Sequence, residues 1–155
     1  MRLKVWDNVL GAWQYAGAVP VGVWTDIIPL VTQGATPTFT TNYAAWTKQG
    51  RIARYQGQVV ITGTGGTAGN PVVVALPFLL RASAVGSVRA FGTGVLFDSS
   101  ASSYYRMIAS PVSTSTMQFM ATSSVAAQYI GAIDFTAALA TSDQLSWDVT
   151  YESAS

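Results

Sequence analysis

Apolar and polar positions alternate most cleanly at the end of the chain. Residues 144–152 read Q-L-S-W-D-V-T-Y-E, so Leu145, Trp147, Val149 and Tyr151 are each separated by one polar residue. Side chains on a strand point to opposite faces with a period of two. The segment is therefore a half-buried antiparallel strand, large and apolar on one face and polar on the other. Residues 72–76 form a β-branched run between Pro71 and Pro77 and read as a buried strand bounded by breakers.

The rest of the chain is a series of short β-prone runs with turn formers between them. Residues 3–6 and 12–15 predict a small hairpin around Asn8 and Gly11, and residues 17–22 read as a Gly/Pro linker. The main body begins with residues 23–30, followed by a Thr-rich extended segment over 36–42. Residues 50–55 and 58–64 flank Gln56-Gly57, which predicts a tight hairpin turn. Residues 63–70 are a glycine-rich loop. Residues 84–91 and 94–98 are expected to pair across Gly92-Thr93, and residues 104–109 and 117–121 across a Ser/Pro-rich turn. Residues 125–130 add a further candidate strand, and 135–140 a single helical turn, since Ala and Leu favour helix. Many short strands and no long amphipathic helix predict an all-β fold: a jelly-roll-like antiparallel β-sandwich over 23–155, preceded by a short N-terminal β-hairpin arm over 1–16.

Composition changes this picture in one respect. Of 155 residues, 50% are hydrophobic and only 10% are charged, against about 25% charged in an ordinary soluble domain. A freely tumbling monomer needs charge on its surface. The deficit therefore points to a surface covered by copies of the chain or by a larger assembly. A Ser/Thr-rich β protein kept soluble by its hydroxyls is the plainer alternative.

Charge and residue type also exclude functions. The net charge is +1, and Lys48, Arg51 and Arg54 form the densest basic cluster, too small a patch for phosphate-driven nucleic-acid binding. With neither Cys nor His in the chain, disulfides, thiolate chemistry and the commonest general base and zinc ligand are all missing. No cofactor is expected. The start of the chain does not resemble a signal peptide, and no apolar stretch is long enough to span a bilayer, so no membrane insertion is expected.

Candidate chemistry is sparse. The loop over 63–69 lacks the Gly-Lys-Ser/Thr ending of a phosphate-binding loop, and reads as a flexible connection. Asp26, Asp98, Asp134, Asp143, Asp148 and Glu152 are the carboxylates available for glycan hydrolysis, and no spacing places two of them together. Asp98, Asp134 and Asp143 fall at expected strand ends or loops, where Asp makes turns. The serines have no histidine to activate them. A non-enzymatic role is the expectation.

The aromatic residues carry more information. Trp147, Tyr151, Phe119, Phe91 and Phe97 are expected in the core. Tyr104 and Tyr105 are adjacent, so they face opposite ways and one of them is exposed. Trp24, Tyr43 and Trp46 lie in or near expected connections. With Tyr104 they are candidates for surface binding, either to sugar rings or to protein partners. Trp6, Trp13 and Tyr15 sit on a hairpin too small to fold alone, and are candidates for docking to a neighbour.

Three stretches resemble the small β-sandwich proteins of tailed-bacteriophage virions, especially minor tail or fibre-like proteins. Leu3-Lys4-Val5-Trp6-Asp7 with Trp13 is similar to the brief β-tag that opens many of them. W-T-K-Q-G-R-I-A-R-Y-Q-G-Q-V-V-I over 46–61 is similar to the hairpin that begins the sandwich, and residues 141–152, ending D-Q-L-S-W-D-V-T-Y-E, to its terminal strand. The resemblance implies a structural virion component, made without a signal peptide and assembled as a homotrimer or larger ring with other virion proteins. A tail or tail-tip module in contact with the host surface, including its glycans, is the leading expectation. A capsid decoration protein comes next, and a carbohydrate-binding module of non-phage origin after it.

Overall fold

The computed structural model describes residues 4–7, 12–15, 23–82, 90–121, 133–134 and 138–154. They are almost entirely β. Strands β1 (Lys4–Asp7) and β2 (Ala12–Tyr15) form a two-stranded antiparallel sheet of their own, with Trp6 opposite Trp13. The remaining strands are β3 (Thr25–Asp26), β4 (Val31–Thr32), β5 (Phe39–Gln49), β6 (Ile52–Ile61), β7 (Val73–Ala75), β8 (Gly92–Asp98), β9 (Ser103–Pro111), β10 (Thr116–Ala121), β11 (Ile133–Asp134) and β12 (Gln144–Glu152). They make one ten-stranded sheet in the order β3-β5-β6-β12-β8-β9-β10-β7-β4, with β11 beside β10. Every pairing in it is antiparallel.

The sheet is curled. Laid flat, its path would hold β3 and β4 about 38 Å apart at the usual strand spacing of about 4.8 Å. Only residues 27–30 join these two strands, a reach of about 18 Å at full extension. This strap is tied at both ends: the Ile27 N–H donates to the Ala44 carbonyl on β5 (2.9 Å), and the Ala75 N–H on β7 donates to the Leu30 carbonyl (3.0 Å). The two margins of the sheet are thereby drawn toward each other over a common core.

The last strand lies at the centre of that core. β12 pairs with β6 along its whole length and with β8 as far as Val149 opposite Gly92. Leu145, Trp147, Val149 and Tyr151 are all buried, as their alternation predicts. Trp147 lies opposite Gly57 on β6 and Gly94 on β8. A Cβ at Gly57 would stand 2.3 Å from the indole ring, and one at Gly94 would crowd Phe119 and Met107. The two glycines leave the space in which the aromatic groups meet. Tyr55 packs edge-on to Trp147 with ring centroids 5.5 Å apart, and Phe119, three strands away along the sheet, reaches it at 6.4 Å.

Several expectations are corrected. Gln56-Gly57 is not a turn: β6 runs through it, because Gly57 is small to admit Trp147 and not to reverse the chain. The hairpin turn lies at Gly50-Arg51, where Gly50 takes a left-handed φ of 58°. Gly92-Thr93 is likewise inside β8, where a Cβ on Gly92 would strike the backbone of β12. The glycine-rich loop over 63–69 connects strands as expected, but it is pinned. Buried Gln33 accepts from the Leu139 N–H through Oε1 (2.8 Å) and donates to the Asn70 carbonyl (3.2 Å), and Gly66 has no room for a side chain beside it. The strand expected over 125–130 lies outside the described residues, as does that over 84–91 apart from its last two. Of the helical turn expected over 135–140, the described residues 138–140 are not helical.

Candidate functional site

The exposed surface of the sheet is formed by the other half of the same alternation. On β6 the outward residues are Ile52, Arg54, Gln56, Gln58 and Val60. On β12 they are Gln144, Ser146, Asp148, Thr150 and Glu152. The register sets Asp148 opposite Gln56 and Thr150 opposite Arg54, and three of these side chains join. Arg54 Nε donates to Asp148 Oδ1 (3.0 Å) and Arg54 Nη2 to Oδ2 (2.6 Å), while Gln56 Nε2 also donates to Oδ2 (2.9 Å). A two-point guanidinium–carboxylate contact fixes both partners in one plane. The Arg54 hydrogen bond, aided by Gln56, holds the Asp148 carboxyl below the usual carboxylate range, and Asp148 in turn raises Arg54.

Beside this pair the surface opens into a shallow cleft of about 320 Å3 lined by Arg54, Phe91, Gly92, Thr93, Asp148 and Thr150. Its origin is the unequal length of the two ladders. β12 continues to Glu152 against β6, whereas on the β8 side the last register pair is Val149 opposite Gly92, followed by one bond from the Thr150 N–H to the Phe91 carbonyl (2.9 Å). On the far side of Arg54, Trp24 presents its ring to the guanidinium at 5.8 Å.

The sequence-predicted aromatics do not converge on one platform. Trp24 is 40% exposed, Tyr43 51% and Tyr104 72%. Tyr43 lies on β5 opposite Gln58, and Tyr104 on β9 opposite Phe97. β5 and β9 are four places apart in the sheet, about 19 Å if flat. Tyr104 instead stacks on Phe97 (4.8 Å), which faces outward and is not a core residue. Trp46 is inside β5 rather than in a connection, half-buried, and packs edge-on against Phe78 at 4.5 Å. The strands carrying Trp6, Trp13 and Tyr15 are in place, but the surroundings of those side chains lie outside what is described.

The acidic residues divide by role. Asp98 Oδ1 accepts from the Ser100 hydroxyl and from the N–H groups of Ser100 and Ala101, closing the β8–β9 turn; the Ser100 hydroxyl is the main reason its carboxyl is lowered. Buried Asp143 accepts from the Ser99 N–H and hydroxyl and from the Ala140 N–H. Both are turn-makers, as their positions predict. Glu152 meets Arg81 (3.0 Å) and Arg51 (3.7 Å) at the exposed end of β12. Among the described residues no three His, Cys, Asp or Glu stand close enough to hold a metal ion. No helix among them is long and apolar enough to cross a membrane. The polar cluster of Arg54, Gln56, Thr93, Asp148 and Thr150 escaped the sequence reading. The outward positions were legible, but the pairing of β6 with β12 across some ninety residues was not.

Compared with known proteins, the chain matches no family model, no curated protein and no solved structure.

Proposed function

We propose that this protein is a non-enzymatic structural module of a tailed-phage virion, situated at the tail or tail tip. In this reading the curled sheet over 23–155 is a jelly-roll-like sandwich displayed outward, residues 1–16 are an arm docked on a neighbouring virion protein, and residues 17–22 link the two. The chain works as a homotrimer or larger ring.

One observation supports this most. A chain that is only 10% charged leaves Val23 (67% exposed), Trp24, Ile28 (85%) and Leu30 (54%) open along the segment that leads into and forms the closing strap. Apolar side chains concentrated on one stretch of surface favour coverage by a partner. The separate hairpin sheet, with a tryptophan on each strand, suits a docking role, since two strands alone are marginal in water.

Immunogold imaging of the particle, with the intact protein and with residues 1–16 deleted, tests the reading. The expected result is label at the tail for the intact protein, and a folded truncated protein that no longer joins the particle. Label over the head lattice would favour capsid decoration, and label on neither would overturn the virion assignment. Unfolding of the truncated protein would make the hairpin part of the core and end the docking role.

A further inference from the structure

We propose that the cleft at the ends of β8 and β12 binds a terminal neutral hexose of a glycan. The inference deepens the reading of a module displayed toward a host surface, and rests on it only for the source of the sugar.

Size, charge and chemistry agree. At about 320 Å3 the cleft is at the lower limit of ordinary ligand sites, which run from about 300 to 1,000 Å3. It accommodates one sugar ring and little more. Its one cation and one anion are already joined, with both carboxylate oxygens of Asp148 facing Arg54. A charged ligand would have to break that pair. A polyhydroxylated neutral ligand would not, because each hydroxyl both donates and accepts. It donates to the remaining lone pairs of Asp148 and accepts from the remaining N–H groups of Arg54.

The rest of the lining supplies the other needs of a sugar ring. Thr93 and Thr150 are exposed at the cleft, and their hydroxyls make no hydrogen bond with the described residues. Phe91, half-buried and braced from behind by Tyr151 (5.9 Å), provides an apolar wall. Directed polar groups beside an aromatic face match a ring that is polar at its edge and apolar on its C–H faces. The site is also built on rigid elements: Arg54 and Gln56 hold Asp148 from a neighbouring strand before any ligand arrives, which lowers the ordering cost of binding.

The test uses the full chain. A panel of methyl hexosides is titrated by ligand-observed NMR, with N-acetylneuraminic acid as the anionic comparison, alongside an array of glycans ending in the same hexoses. The expected result is millimolar binding of at least one neutral hexoside, no binding of the acid, and array binding competed by the free hexoside. Asp148→Asn should weaken binding about tenfold or more, the loss of a charge-assisted hydrogen bond. Thr93→Val, at an exposed position that leaves the ion pair intact, should weaken it by a smaller factor.

No hexoside binding, equal binding by Asp148→Asn and Thr93→Val, or a preference for the acid would each overturn the proposal. Free-sugar binding with a blank array would overturn the chain-end assignment. None of these results bears on whether the chain oligomerises, so the site and the assembly fail separately.

Discussion

The inner and outer faces of β6 and β12 are made from alternate residues of the same two strands, and they obey different rules. Inside, Tyr55, Val59, Leu145, Trp147 and Val149 are packed so closely that a glycine, Gly57, is needed to admit the indole ring. Outside, Arg54, Gln56 and Asp148 form a half-exposed polar lattice beside an open cleft. Burial of apolar area dominates the first, at about 25 cal/mol per Å2. Water competes for every contact of the second, so its ion pair contributes at most about 1 kcal/mol. The strands therefore carry stability on one side and leave the side chains of the other in water.

The largest test of this contrast is Trp147→Ala, which should cost about 3–5 kcal/mol in urea denaturation. A loss like that of an ordinary surface substitution, about 0.5 kcal/mol, would contradict the inner-face assignment. Gly57→Ala comes next. Its new methyl group would lie 2.3 Å from the Trp147 ring, and overpacking of this kind should cost about 1–3 kcal/mol. Were Gly57 a turn residue, alanine there would leave the Trp147 fluorescence untouched.

Two buried tyrosines sharpen the comparison within the core. The Tyr151 hydroxyl donates to the Phe78 carbonyl (3.1 Å) and accepts from the Phe78 N–H (3.2 Å), whereas the Tyr55 hydroxyl is buried with no hydrogen-bond partner among the described residues. Tyr55→Phe should therefore raise stability, by up to about 1 kcal/mol, and Tyr151→Phe should lower it by a similar amount. Burial pushes the Tyr151 phenol up to about 12 from 10.0 and drives Tyr55 in the same direction. A raised phenol keeps its contribution below the unfolded value and loses it as the pH climbs through the folded one. Melting temperature should hold to about pH 10 and then fall steeply, a fall that is shallower in Tyr151→Phe, where one raised phenol remains.

The smallest effect belongs to the outer face. Asp148→Asn should change stability by less than about 1 kcal/mol, because the pair is half-exposed. Its carboxyl is lowered in the folded protein, so the small contribution is present above the ordinary carboxylate range and fades as the pH falls through the folded value. A stability loss as large as that of Trp147→Ala would place Asp148 with the core.

What the chain reveals before folding follows the same division. The alternation of β12 shows its buried face directly, since a period of two needs no knowledge of partners. The β9–β10 pairing was readable because its turn is local, with Met117 opposite Pro111. Gly57 and Gly92 misled because glycine serves two needs, left-handed turns and close approach, and only the neighbouring strand decides between them. The cleft was hidden for a related reason. Arg54 and Asp148 are separated by 94 positions, and long-range register is set by the whole sheet.

Oligomeric state in solution tests the central claim, that this is an assembling display module, most directly. Multi-angle light scattering of the purified full chain at micromolar concentration should give a mass at least three times the 16.3 kDa of one chain. A monodisperse species of a single chain, with Val23, Ile28 and Leu30 left in water, would contradict it.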